Sequence, residues 1–138
     1  MAGPNASAIY SRVGDIQWAV ALLTANTAMD GTGTVTTVFT ADATNGGFVQ
    51  RLRLKAAGTN VATVVRVFIN NGSTNTTASN NALIDEMSLP ATTASNSLAN
   101  GLFEIPLGFA LPPGYKINIT IGTTVAAGWV SCVIGGKF

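Results

Sequence analysis

The chain contains no histidine, one cysteine and few charges, and each scarcity removes a class of function. Without histidine there is no Ser-His-Asp triad, no imidazole metal site and no histidine pH switch. A lone cysteine, Cys132, cannot make an internal disulfide, a thiolate zinc cage or a CxxC redox pair. It lies in the apolar run Trp129-Val130-Ser131-Cys132-Val133-Ile134, where a buried, inert thiol is expected. Charged residues make up 9% of the 138, against about 25% in an ordinary soluble domain. Seven Lys+Arg face six Asp+Glu, for a net charge of +1, which excludes a strongly basic nucleic-acid binder and an acidic solvating chain. Long hydrophobic runs are missing too. The longest, residues 18–23, falls far short of the ~20 needed to span a bilayer. The N-terminus has no basic start followed by an apolar stretch, so neither membrane nor export is expected, and synthesis and first use are placed in a cytoplasm.

What is abundant is neutral polarity: 18 threonines, 12 asparagines and 8 serines. A solvent face built from hydroxyls and amides opposes self-association only weakly, which suggests a subunit of something larger. Period-two alternation and β-branched runs predict strands near 16–22, 34–41, 48–56, 61–69, 82–89, 101–107, 115–121 and 128–134. Turn clusters such as Asn45-Gly46-Gly47, Gly58-Thr59-Asn60 and Leu111-Pro-Pro-Gly-Tyr115 separate them. Pro106 belongs on an edge or at a strand end. Eight short strands without a helix predict an all-β, eight-stranded antiparallel jelly-roll β-sandwich over residues 16–138. An up-and-down barrel is the alternative, but the connections 23–33, 70–81 and 90–100 are long for it. Alternation assigns Leu52, Leu54, Val65, Val67, Ile117, Ile119 and Ile121 to the core, although the last three would equally suit a subunit contact. Spacing alone leaves open whether 48–56 and 61–69 share a sheet. Residues 1–15, with Pro4 and Gly14 and isolated apolar points, are expected to form an extended N-terminal arm.

No constellation suggests catalysis, a metal or a cofactor. Asp85 and Glu86 are strand neighbours and so point to opposite faces, and Asp30 in Asp-Gly-Thr-Gly is a turn former. Arg51, Arg53 and Lys55 alternate with Leu52 and Leu54 and therefore share one strand face. They form either a strip for an acidic partner surface or an ordinary solvated face. A nucleic-acid platform would interleave aromatics there, and none is present. Trp18 and Trp129 are expected in the core, whereas Tyr10 and Tyr115 lie outside the strand interiors. In the arm, Ile9, Tyr10 and Val13 are spaced apolar anchors and Arg12 supplies one cation, a pattern suited to strand addition on a neighbour.

In the arm before Asp15, the eight-strand layout, the Thr/Asn/Gly-rich surface and the segment Leu111-Pro-Pro-Gly-Tyr-Lys-Ile-Asn-Ile119 ahead of Gly128-Trp129, the chain resembles the decoration (cement) proteins of tailed-bacteriophage heads. That resemblance implies a jelly-roll subunit, usually a homotrimer, seated on the outer capsid surface against the major capsid protein and reinforcing the shell. It implies a virion location after assembly in the host cytoplasm, with no small-molecule ligand. A carbohydrate- or receptor-binding sandwich of a phage fibre or tail shares the layout. Exposed Tyr or Trp beside Asn or Asp in the long loops would favour that alternative.

Overall fold

The computed structural model describes residues 11–20 and 23–138. Eight strands follow in chain order: β1 (Val13–Ala19), β2 (Thr36–Thr40), β3 (Gly47–Ala56), β4 (Thr63–Asn70), β5 (Asn81–Leu89), β6 (Leu102–Leu111), β7 (Lys116–Ile121) and β8 (Trp129–Lys137). They form two antiparallel sheets, β1-β8-β3-β6 and β2-β7-β4-β5. The chain changes sheet at every connection except the β4–β5 hairpin, which is the jelly-roll order. β3 and β4 thus lie in opposite sheets, although only six residues join them. Pro106 sits in β6, an edge strand, where its missing N–H breaks no interior ladder.

The core fills the space between the sheets. Leu52 and Leu54 of β3 face Val65 and Val67 of β4 and Ile117, Ile119 and Ile121 of β7, all fully buried. Trp129 completes one end, edge-on to Phe103 with ring centroids 5.7 Å apart and planes at 74°.

β1 departs from expectation twice. It starts at Val13 rather than residue 16, because β8 runs on to Lys137 and offers partners as far as Val13↔Lys137; Val13, Gly14 and Asp15, expected in the arm, are its first three residues. Gly14 faces Gly136 across the ladder, and it is Gly136 whose Cβ would collide, with Ser11 and the Val13 carbonyl. The second departure is Trp18, expected in the core but 64% exposed. Alternation shows that 16, 18 and 20 share a face without saying which face is inside. Gln17 decides it: its Nε2 donates to the Thr40 carbonyl and its Oε1 accepts from the Thr40 N–H, both at 2.9 Å. The inward side of β1 therefore meets the backbone edge of β2, and Ile16 and Trp18 turn outward.

Each end of the sandwich is tied by asparagine. At one end the buried Asn60 accepts from the N–H groups of Ala127 (2.9 Å) and Gly128 (2.7 Å), and donates to the Gly128 carbonyl (2.9 Å). Its backbone pairs with Thr92, so one residue joins three connections. At the other end Asn81 donates to the carbonyls of Asp30 and Asn75, and Asn75 to those of Gly31 and Gly33. The 70–81 loop, which buries no apolar side chain, is an amide clasp.

That clasp holds the β1–β2 connection across the outside of the second sheet. The connection begins beside Ile121, to which Ala25 forms an isolated parallel bridge, and reaches the far end at Gly31, against Asn81. Phe68, Asn118 and Thr120 alternate with core residues and point outward, yet all three are buried. Met29 lies beside Val64 and Arg66 on the same surface. This sheet carries its own cover.

A candidate interaction surface

The described residues lay no such cover over the first sheet. Its outer face is organised in cross-strand rows set by register. One row runs Trp18, Cys132, Arg53, Glu104, and the next Ile16, Ile134, Arg51, Pro106. A third places Val130 beside Lys55 and Leu102. Every row passes from an apolar side chain on β8, joined in the first two by one on β1, to a cation on β3. The surface is thus half apolar and half cationic, with the boundary between β8 and β3.

On the apolar half Ile16 is 54% exposed, and Val20, just past the strand, 68%. Val130, Cys132 and Ile134 are half-buried beside them. Cys132, expected as a buried thiol, faces this surface, because the inward positions of β8 belong to Trp129, Ser131 and Val133. A shallow depression of about 220 Å³ opens between Cys132, Val130, Leu102, Arg53 and Lys55. Exposed apolar side chains gathered on one face in this way make it a candidate interaction surface.

On the cationic half Glu104 serves two arginines: its Oε1 lies 3.1 Å from Arg53 Nε and 3.8 Å from Arg51 Nε. Neither Nε–H is aligned on the carboxylate, so these are charge contacts and not directed hydrogen bonds. Lys55 donates to the Asn100 carbonyl. Three cations against one acid leave the strip positive. At such exposure the ion pairs contribute about 0–1 kcal/mol each; they hold the guanidinium groups in place more than they stabilise the fold.

The residues singled out in the sequence divide accordingly. Arg51, Arg53 and Lys55 are brought together on this face. Val13, exposed, begins β1, and the backbone N–H of Arg12 donates to the Lys137 carbonyl, so both lie at the margin of the same sheet. Ile9 and Tyr10 lie outside the described residues. The sequence reading missed Ile16, Trp18 and Ile134 as surface residues. The signal for it was β8 itself, where Val130, Cys132 and Ile134 are as apolar as the intervening positions, which means a strand apolar on both faces.

The remaining features are local. Tyr115 packs against the core. The loops 71–80 and 90–101 contain no aromatic residue, so the platform expected of a glycan-binding sandwich is not in them. Asp30 and Asp42 titrate below the usual aspartate range, Asp30 because the Thr32 hydroxyl and N–H donate to it and Asp42 because the N–H groups of Asn45 and Thr44 do. Both are loop ties. No group of three or more Cys, Asp or Glu able to hold a metal occurs among the described residues.

No family model matches the chain, and no curated protein does. Among solved structures, one described as the structure of infectious bursal disease virus Gx strain is similar at TM-score 0.33 and 11% identity, over 92% of this chain and 33% of that one. The chain spans about a third of that protein's length.

Proposed function

We propose that this chain is a non-catalytic structural subunit of a virus particle, a decoration (cement) protein that seats on the outside of a phage head against the major capsid protein and stabilises the shell. The observation that supports this most is the outer face of β1-β8-β3-β6, left open by the described residues, apolar on one side and cationic on the other. A rigid sandwich with one adhesive face is suited to bridging neighbouring subunits of a shell. Many symmetry-related copies of a modest contact then add by avidity. In this reading three copies associate, the strip Arg51, Arg53 and Lys55 faces acidic surface, and the arm with Ile9, Tyr10 and Arg12 lies along a neighbour. The glycan-binding alternative would want its aromatics in the long loops, which have none.

Incubating purified protein with undecorated heads, followed by sedimentation and electron cryomicroscopy, tests the proposal. Stoichiometric density on the outer surface is expected; absence of bound protein on intact heads would overturn it. The arm is tested separately by deleting residues 1–10, which spares the Arg12 and β1 pairings with β8. Head occupancy should fall about tenfold or more, the loss of roughly 1.4 kcal/mol per site, with the thermal midpoint unchanged. Full occupancy after deletion would end the role given to the arm.

A further inference from the structure

Three Asn-Gly pairs occur in the chain: Asn45-Gly46, Asn71-Gly72 and Asn100-Gly101. The reaction open to such a pair is attack of the glycine nitrogen on the asparagine side-chain amide. Glycine favours it, because no Cβ shields the nitrogen and the backbone turns freely. In a folded chain the N–H must also be unbonded and the carboxamide free to swing. The first two pairs fail. The Gly46 N–H donates to the Asp42 carbonyl at 3.0 Å, and a Cβ there would meet the Leu111 carbonyl at 2.5 Å, so the turn is fixed on both sides. The Gly72 N–H donates to Asn70 Oδ1 at 2.8 Å. The Asn71 side chain is held at both ends, its Nδ2 donating to Asn80 Oδ1 and its Oδ1 accepting from the Ser73 N–H. Even Asn96, in the exposed 90–100 connection, is followed by an engaged nitrogen, the Ser97 N–H on Ser95 Oγ.

Asn100-Gly101 differs on each count. Among the described residues neither the Asn100 carboxamide nor the Gly101 N–H has a hydrogen-bond partner. Gly101 is exposed, and the nearest atom to a Cβ built on it is in the Phe103 ring, 3.8 Å away. The one contact made there favours reaction: Lys55 donates to the Asn100 carbonyl oxygen. That oxygen belongs to the same peptide unit as the Gly101 nitrogen. The ammonium therefore stabilises the negative charge that the unit takes on when the nitrogen loses its proton.

We infer that Asn100 is a modification site, converted to aspartate and isoaspartate with water as the only reactant and Lys55 as promoter. The Gly101 nitrogen gives its proton to hydroxide and bonds to Asn100 Cγ. The Cγ–Nδ2 bond breaks, and ammonia leaves with a proton from water, which regenerates the hydroxide and closes a cyclic imide. Water then opens either bond from the imide nitrogen to a carbonyl carbon. One opening restores the backbone with an aspartate; the other routes the main chain through the side chain as isoaspartate. Both products add a carboxylate to the connection that Lys55 holds and take the net charge from +1 to zero. Isoaspartate also lengthens the main chain just before Leu102, the first residue of β6, and loosens its pairing with Lys55. The subunit carries a chemical clock at the edge of its cationic strip, which runs whether or not it seats on a capsid.

The test incubates the purified full chain at mildly alkaline pH over days. Digests are read by mass spectrometry with electron-transfer fragmentation, which locates the site and separates isoaspartate from aspartate. In the folded chain Asn100 should convert about tenfold or more faster than Asn45 and Asn71, and in guanidinium the three rates should converge. Gly101→Ala, for which Phe103 leaves room, should slow conversion about tenfold with an unchanged circular-dichroism spectrum. Lys55→Met should slow it about threefold, the scale of an exposed charge contact, and only in the folded chain. Conversion of Asn100 no faster than that of Asn45 or Asn71 would overturn the inference, as would the parent rate in either variant.

Discussion

The two outer faces of the sandwich solve the same problem differently. Each sheet places large side chains on its outside, Phe68 on one and Trp18 on the other. Over Phe68 the chain has laid its own β1–β2 connection, pinned by Asn75 and Asn81, so that the side chain is fully buried. Over Trp18 there is nothing among the described residues, and 64% of it meets solvent. The arginines follow suit. Arg66, beneath the cover, is mostly buried and 3.3 Å from its own glutamate, whereas Arg51 and Arg53 share one. An internal cover serves the stability of the single subunit. On the other side the described residues leave the apolar side chains open to solvent.

The sharpest way to break this comparison is to truncate the two aromatics. Phe68→Ala should cost about 3–5 kcal/mol, lowering the thermal midpoint by roughly 10 °C or more. Trp18→Ala, measured at dilutions where subunits are separate, should stay within about 0.5 kcal/mol of the parent. Equal losses would mean that the faces do not differ as described.

A smaller effect is expected from the clasp. Asn81→Ala strips the hydrogen bonds that hold the Asp30 and Asn75 carbonyls, at a cost of about 1–3 kcal/mol. Hydrogen exchange should quicken in residues 27–34 and remain slow in β8. Uniform quickening would show that the cover is not a separate unit.

The smallest effect is that of acid. Asp30 and Asp42 are held below the usual aspartate range in the folded chain by N–H and hydroxyl donors in their loops. A depressed folded pKa gives stability that is present above the unfolded value and lost as pH falls through the folded one. Denaturation profiles should therefore be flat from neutrality down to the ordinary aspartate range and decline only beneath it. With no histidine in the chain, a transition between pH 5 and 8 would contradict this account.

Much of this architecture was legible in the amino-acid sequence, because burial imposes a period of two. All eight strands overlap the segments that alternation and turn residues mark, β1 displaced three residues toward the N-terminus, and Leu52, Leu54, Val65, Val67, Ile117, Ile119 and Ile121 are in the core. The alternating cations of β3 likewise share a face. What alternation does not encode is which side of a strand looks inward. For β1 that depended on one glutamine finding the Thr40 backbone, a contact between residues 23 positions apart. The clasp was illegible for a related reason. A run of asparagines and threonines is polar whether it waves in water or binds carbonyls, and only its partners distinguish the two.

The Asn60 tie also bears on time. Its side chain joins backbone groups 67 and 68 residues away, and its own backbone meets Thr92, 32 residues on. Closing such long loops is entropically costly and is rewarded only once the intervening strands are paired. The knot at that end therefore belongs among the last contacts to form and the first to open. A contact absent from the transition state governs how fast the native chain comes apart, and hardly at all how fast it assembles. Asn60 is thus placed as a latch, expected to slow unfolding of the subunit far more than it speeds folding.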